Sequence, residues 1–446
     1  MITFLRDPSA YYSLLLAVFE RSESSVLLSA LYMGDGPLER ALVDAIDRAL
    51  ERKPALEVKL LLDYNRAHRR KDSSLPALRA LVDKHGPRLH VLLYKTPLSS
   101  TESALLSLPL VPEEAKEVCG VFHCKFCVFD GSVLLTGANL SEEYFRDRQD
   151  RYALVDGDAA GLAAFLRAFA GALESHCHRV LPTGLTAAPK SSLEQPEGAR
   201  RLRSRLQELQ GHTYGGEGGF LAALHAAARS DSSVSFLPLV QNRPVGLEGE
   251  SAQLPALLCE GLRVLGGAEG YDVTIATPYP NFAPSLLRQL EASLAAGTAR
   301  SLSIVVPSHA SHGFARASGP RALVPLLHSH ITHSTLGKLA EEGRRAQLRP
   351  LCYHRHGWTF HGKGVWMLPR DPAAPSVSYV GSSNFGLRSW SRDFELGFAV
   401  VARGERAKLA MSEEVANLHK YTSELSARSL GRGPVALLAW AFRSFL

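Results

Sequence analysis

The hydrophobic and polar positions of the first 180 residues fall into two alternating patterns. Short apolar runs at 26–32, 56–63, 89–94, 122–129, 133–137 and 152–155 predict strands. Most are separated by stretches with apolar residues three and four apart, which predict helices and so an α/β layout. After Val180 the text turns to Pro, Gly, Ser, Thr and Ala until the basic run Arg200, Arg201, Arg203 and Arg205, which reads as a linker entering a helix. The plan then repeats, with strands at 273–276, 302–306, 347–353, 359–367, 377–381 and 394–401, at an offset of about 240 residues. The expected segments are a first half over 1–180, a linker and basic helix start over 181–212, a second half over 213–433 and an apolar C-terminal helix over 434–446.

Composition narrows the class. With 46% hydrophobic and 21% charged residues in 446, the chain has a core to bury and is neither disordered nor a coiled coil. No apolar run approaches the ~20 residues of a spanning helix. Lys+Arg 50 against Asp+Glu 44 leaves a formal +6, a mild excess that suits a phosphate ester, nucleic acid or acidic lipid surface. Six cysteines are too sparse for a disulfide framework, which fits a reducing compartment. Cys124 and Cys127 form a C-x-x-C without a second pair, so no metal site is expected. The N-terminus, Met1-Ile2-Thr3-Phe4, shows neither an Arg-rich transit segment nor a signal core, and targeting is unreadable from it.

The same chemistry recurs in each half. The first has Phe122-His123-Cys124-Lys125, then Asp130, then Gly137-Ala138-Asn139, then Asp150 eleven residues after the asparagine. The second has Phe360-His361-Gly362-Lys363, then Gly381-Ser382-Ser383-Asn384, then Glu395, again eleven after the asparagine. The longer His-to-Asn spacing in the second fits an enlarged turn at 369–375. On a strand, residues two apart share a face, so each H-x-K is expected to present an imidazole and an ammonium together. Small residues before each Asn let backbone amides approach an anion. If the halves face each other across a pseudo-twofold, both His, Lys and Asn pairs converge on one pocket suited to phosphorus. Imidazoles on opposite sides serve in-line displacement, one as nucleophile and one as acid. Asp150 and Glu395 are placed to hold the far ring nitrogens.

These residues resemble the paired H-x-K-x4-D motifs of the phospholipase D superfamily, and the second copy also matches its longer form through Gly381, Ser382, Asn384, Arg388, Ser389 and Glu395. Leu368 stands where the second motif's Asp would be. Within the superfamily, the text around His123, from Gly137 to Ser141, from Arg148 to Tyr152 and from Gly357 to Gly364 is similar to the eukaryotic phosphatidylglycerophosphate synthases. The resemblance implies two phospholipase D-like α/β/α halves related by pseudo-twofold symmetry with one shared active site. It implies, without cofactor or metal, transfer of the phosphatidyl group of CDP-diacylglycerol to sn-glycerol 3-phosphate, a step toward phosphatidylglycerol and cardiolipin. His123 would be the nucleophile and His361 the acid and then base, with Asp130 grouped with the catalytic motif in a packing role beneath its strand. The family's place is the matrix face of the mitochondrial inner membrane. Rival readings are a superfamily enzyme using serine or water as acceptor, one that cleaves nucleic acid, and a lipid-binding relic. No Arg/Lys stripe interleaved with aromatics marks a nucleic-acid groove, so no nucleic-acid partner is expected. A relic would have lost a His or Lys, and all four are present.

Secondary candidates for substrate binding are Arg146, Arg148, Arg151, Arg388 and Arg392, for which salt bridging to neighbouring acids is the competing reading. Tyr353, His354 and His356 precede the second motif, and Asp63, Arg66, Arg69 and Arg70 end a strand where α/β ligand sites open. At the C-terminus, Trp440, Phe442 and Phe445 with flanking Arg428, Arg432 and Arg443 have the composition of an interfacial anchor for an anionic membrane surface, against a core-closing helix as the alternative.

Overall fold

Two nine-stranded sheets carry the chain, and they share one strand order. They are seen in a computed structural model that describes residues 1–69, 71–99, 101–102, 117–157, 160–182, 186–215, 219–265, 269–340 and 347–425. The chain forms, in order, β1 (Ile2–Leu5), β2 (Ser25–Ser29), β3 (Glu57–Asp63), β4 (Leu89–Tyr94), β5 (Phe126–Phe129), β6 (Ser132–Thr136), β7 (Arg148–Gln149), β8 (Tyr152–Val155), β9 (His178–Val180) and β10 (Thr186–Ala187). The second half adds β11 (Val234–Asn242), β12 (Leu247–Glu248), β13 (Tyr271–Ala276), β14 (Ala299–Pro307), β15 (Leu348–Tyr353), β16 (Thr359–Phe360), β17 (Gly364–Pro369), β18 (Ser376–Gly381), β19 (Glu395–Ala402) and β20 (Thr422–Glu424).

The first sheet runs β1-β8-β6-β5-β2-β3-β4-β9-β10 and the second β12-β11-β19-β18-β17-β13-β14-β15-β20. Aligned, β8, β6, β5, β2, β3, β4 and β9 match β19, β18, β17, β13, β14, β15 and β20. In both, the three strands β2-β3-β4 or β13-β14-β15 are parallel and the flanking pairs antiparallel. The parallel strands are buried on both faces, as in β3, where Val58, Leu60, Leu61 and Leu62 are all inside. That is why they read as apolar runs rather than as alternation.

Helices cover both faces of each sheet. The helix Pro37–Arg52 shows the local logic: Pro at its start, Glu39 in its first turn and Arg52 in its last agree with the helix dipole, and Leu42, Ile46, Ala49 and Leu50 form its buried stripe. The helix Ala160–Glu174 is apolar almost all round because it sits in a central core that both sheets build. Phe165 and Phe169 there meet Phe398 and Phe394 of the second half.

Three sequence readings change. The run 122–129 is a strand only from Phe126, and 359–367 splits into β16 and β17, so each H-x-K lies in extended chain before its strand. The stretch 181–212 contributes β10 to the first sheet and opens the helix Pro196–Thr213, whose Leu202 and Leu206 join the central core. β11 is masked in the sequence by Pro238, which lacks an N–H but lies on the outer edge of the strand, short of β12, which pairs only with Gln241 and Asn242. The helix expected over 434–446, its preceding Arg428 and Arg432, and Arg70 lie outside the described residues.

Candidate active site

The halves meet through reciprocal backbone pairing. Phe122, one residue before His123, bridges Phe394, one before Glu395. Phe360, one before His361, pairs with Gln149, one before Asp150, in the parallel β7–β16 contact. His123 N donates to Phe394 O at 2.8 Å and His361 N to Gln149 O at 2.8 Å. Reciprocity of this kind is the mark of a twofold relation.

It also crosses the side chains. His123 Nδ1 lies 2.9 Å from Glu395 Oε2, and His361 Nδ1 lies 2.6 Å from Asp150 Oδ2. Each carboxylate therefore orients the imidazole of the other half, and for His123, whose Nδ1 meets only Glu395, it fixes Nδ1 as the donor and leaves Nε2 for chemistry. Small residues make room: a Cβ on Gly137 would meet Asp150 Oδ1 at 2.5 Å, and Ser382 Oγ donates to Glu395 Oε2.

Both histidines line a cavity of about 770 Å³ between the halves, together with Asn139, Asn384, Tyr144 and Tyr279. Each asparagine keeps a buried side-chain Oδ1 without a hydrogen-bond partner, and Asn139 Nδ2 donates to Tyr144 Oη at 3.3 Å. Tyr144 Oη in turn lies 3.2 Å from His361 Nε2.

The lysines stand behind the histidines and do not line the cavity, contrary to the expectation that they share its face. Lys125 Nζ donates to His123 O at 2.6 Å, and Lys363 Nζ lies 2.7 Å from His361 Nδ1 and 3.7 Å from Asp150 Oδ2. The extended chain before the strand lets each lysine fold back on its histidine. Burial pulls Lys125 down to about 7 and Lys363 to about 8, and pushes Glu395 up to about 7 and Asp150 to about 6. Both imidazoles are held well below their ordinary value, first by burial and then by nearby cations, Lys125 for His123 and Lys363 for His361.

Asp130 does not join this group. It sits at the β5–β6 turn with a φ of 47° and accepts from the Ser24 hydroxyl and from the backbone N–H of Glu23, Ser24 and Ser25, which together lower its carboxyl to about 2. Its contacts are those of a turn cap and lie apart from the histidines. Leu368, its counterpart, is partly buried against the core.

Of the secondary candidates, Arg148 and Arg388 line the cavity, as do Arg66 and Arg69. Arg148 pairs with Glu143 at 2.7 Å, and Arg388 with Asp393 at 3.3 Å. Arg146 reaches out to Glu142, Arg392 pairs with Glu102, and Arg151 is turned into the interior to Glu414 and Ser378. Tyr353 stacks on Phe360 in a separate small core, and His354 is exposed beside Ser308. Asp63 is spent on backbone, accepting from Arg66 N and Phe122 N. Cys124 and Cys127 fall in different cores on opposite faces of the sheet, so they cannot share a metal. Sequence reasoning missed Tyr32, Tyr144, Tyr279 and His328. Tyr144, five residues after Asn139, had a positional signal, whereas Tyr32 and Tyr279 come from loops and His328 from the helix Val324–Leu339, none of them within a motif.

Fold and pocket define a class: a duplicated α/β protein with a pocket between its halves that His123 and His361 line. The crystal structure of a phosphatidylserine synthase from Haemophilus influenzae Rd KW20 has this fold, with a TM-score of 0.71 at 21% identity over 99% of this chain and 92% of that one. No protein-family model matches the chain. Along almost its whole length it is similar to the mitochondrial CDP-diacylglycerol–glycerol-3-phosphate 3-phosphatidyltransferase of Mus musculus, 29% identical over 94% of this chain and 77% of the mouse protein. The enzyme of that activity from Saccharomyces cerevisiae is 27% identical over 97% of this chain and 84% of its own length.

Proposed function

We propose that the protein transfers the phosphatidyl group of CDP-diacylglycerol to sn-glycerol 3-phosphate, giving phosphatidylglycerophosphate and CMP. The observation that carries this reading is the crossed pair, His123 with Glu395 and His361 with Asp150, opening on one cavity. His123 Nε2 attacks phosphorus, the bond to the CMP oxygen breaks, and His361 gives that oxygen a proton. The primary hydroxyl of glycerol 3-phosphate then loses its proton to His361, bonds to phosphorus and releases His123. Lys125 and Lys363 act as buried positive charge behind the imidazoles, and Asn139 and Asn384 turn amides toward the phosphoryl oxygens.

The acceptor is read from one wall. Arg66, Arg69 and Arg388 gather around Glu117: Arg69 pairs with its carboxylate, Arg66 Nη1 lies 4.0 Å from it, and Arg388 donates to its backbone carbonyl. The Arg66 Nε is buried without a partner. Three guanidinium groups suit a phosphate dianion, which glycerol 3-phosphate carries and serine or water does not. The relatives named above act in the same sense by name.

The lipid substrate implies work at an anionic membrane surface, and the relatives' names imply the mitochondrion, with the matrix face of the inner membrane as the family's place. Among the described residues no helix is long and apolar enough to cross a membrane. The reaction is a step toward phosphatidylglycerol and cardiolipin. Purified protein given labelled CDP-diacylglycerol and offered glycerol 3-phosphate, serine or water tests the reading. Phosphatidylglycerophosphate is the expected product, and preference for serine or water overturns the acceptor.

A further inference from the structure

The loop after β14 carries His312, whose Nδ1 accepts the backbone N–H of Phe314 at 3.1 Å. A neutral imidazole has one N–H, so the His312 proton is on Nε2. That nitrogen lies 2.9 Å from His328 Nδ1 and must donate to it. The His328 proton is thereby forced onto its own Nε2, which is buried and has no hydrogen-bond partner. Burial pulls the two rings down to about 4 and about 3, so both are neutral at pH 7. One backbone amide thus sets, through two rings, a neutral donor in a wall of the cavity, which His328 and Phe314 both line.

That wall adjoins the acid of the site. Tyr279 lies 5.1 Å from the His328 ring and 6.1 Å from the His361 ring, centroid to centroid. It also marks where the duplicated halves diverge. Tyr32 and Tyr279 stand three residues beyond the ends of the matched strands β2 and β13, and both line the cavity. One strand further along the sheet, the segment after β3 supplies Arg66 and Arg69 to the cavity, whereas the segment after the matched β14 supplies Phe314 and Arg321. The same place in the fold carries two arginines in one half, and in the other an aromatic ring and a neutral donor beside a single arginine.

We propose that the Tyr279, Phe314 and His328 wall receives the pyrimidine base of the nucleotide, with His328 Nε2–H donating to an acceptor on the ring edge. This rests on the transferase reading above. A planar heterocycle with carbonyl and ring-nitrogen acceptors stacks on aromatic side chains and takes a neutral donor. The arginine end is left to the phosphate of the acceptor, and the nucleotide departs beside His361, which protonates it.

The test titrates CMP and ribose 5-phosphate calorimetrically into the full chain and into its His328→Leu and His328→Gln variants. His328→Leu is expected to weaken CMP about tenfold while leaving ribose 5-phosphate binding and the KM for glycerol 3-phosphate unchanged. His328→Gln, whose amide nitrogen can stand in for Nε2, should restore most of the loss. Equal loss for both ligands, or a raised KM for glycerol 3-phosphate with CMP binding intact, overturns the inference. Wild-type protein that binds ribose 5-phosphate as tightly as CMP also overturns it and leaves the transferase reading standing. That reading fails separately, if no phosphatidyl group is transferred from CDP-diacylglycerol in the acceptor assay.

Discussion

His123 and Glu395 belong to opposite halves of the chain, yet the imidazole Nδ1 and the carboxylate Oε2 are 2.9 Å apart and both groups are buried. The acid that follows each motif therefore serves the histidine of the other, and neither half holds a complete histidine–carboxylate pair.

Replacing Glu395 by Gln or Asp150 by Asn removes the charge that steadies a protonated ring and is expected to lower kcat at least ~10²-fold with little change in KM. Stability should move differently. The Glu395 carboxyl is raised by burial from 4.5 to about 7, so its contribution is fully present below about 4.5 and is lost as pH rises through about 7. Glu395→Gln does not titrate, and its melting temperature should rise relative to wild type between pH 5 and pH 8. A relative fall over that interval would show that burial is not what raises the group.

Asp130 carries the opposite sign. Its carboxyl is lowered from 3.8 to about 2 by the Ser24 hydroxyl and the N–H groups of the 23–25 turn, so its stabilisation is present above about pH 4 and lost as pH falls toward 2. Being largely exposed to solvent screening, the cap is expected to contribute about 1 kcal/mol. Asp130→Ala should lower the melting temperature at neutral pH and leave kcat near wild type. A catalytic loss in a folded Asp130→Ala protein would return the residue to the site.

Arg66→Ala and Arg388→Ala should each raise the KM for glycerol 3-phosphate roughly tenfold or more, because a charge-assisted contact to the phosphate is lost. Single-turnover attack on CDP-diacylglycerol without acceptor should change little. Rapid-quench measurements with and without acceptor separate the two, and a loss confined to the first step would move these arginines to the CDP group.

How far the sequence reaches is clearest at these residues. The repeated spacing places His123, His361, Asn139, Asn384, Asp150 and Glu395 together because duplication copies position as well as chemistry. The crossing of the acids was not legible, since it depends on which backbone segments pair between halves, as Phe122 does with Phe394 and Phe360 with Gln149. Alternation misled for the lysines, because His123 to Lys125 lies before β5 begins. Tyr353 looked close to the second motif in sequence but packs on Phe360, away from the cavity. His328 lies on a helix, Val324–Leu339, whose text carries no motif, and only tertiary structure sets it beside Tyr279.

In the free pocket His361 is held neutral by burial and by Lys363, Arg148 and Lys125. A bound phosphate offsets those cations, so binding should raise the ring and draw a proton from solvent. Calorimetric titration of CMP at pH 8, in buffers of different ionisation enthalpy, should show net proton uptake by wild type. His361→Gln should take up fewer protons, the remainder going to the buried Lys125 and Lys363, which are lowered to about 7 and about 8. Equal uptake by the two proteins would place the proton elsewhere.

The most direct test is capture of the intermediate. Protein mixed with CDP-diacylglycerol labelled at the phosphatidyl phosphorus, without acceptor, and quenched rapidly should carry label on a histidine through a bond labile to acid and stable to base. His123→Ala should carry none and lose at least ~10³-fold in turnover, and adding glycerol 3-phosphate to the labelled wild type should release phosphatidylglycerophosphate. Undiminished labelling or turnover in a folded His123→Ala protein would contradict the paired-histidine site.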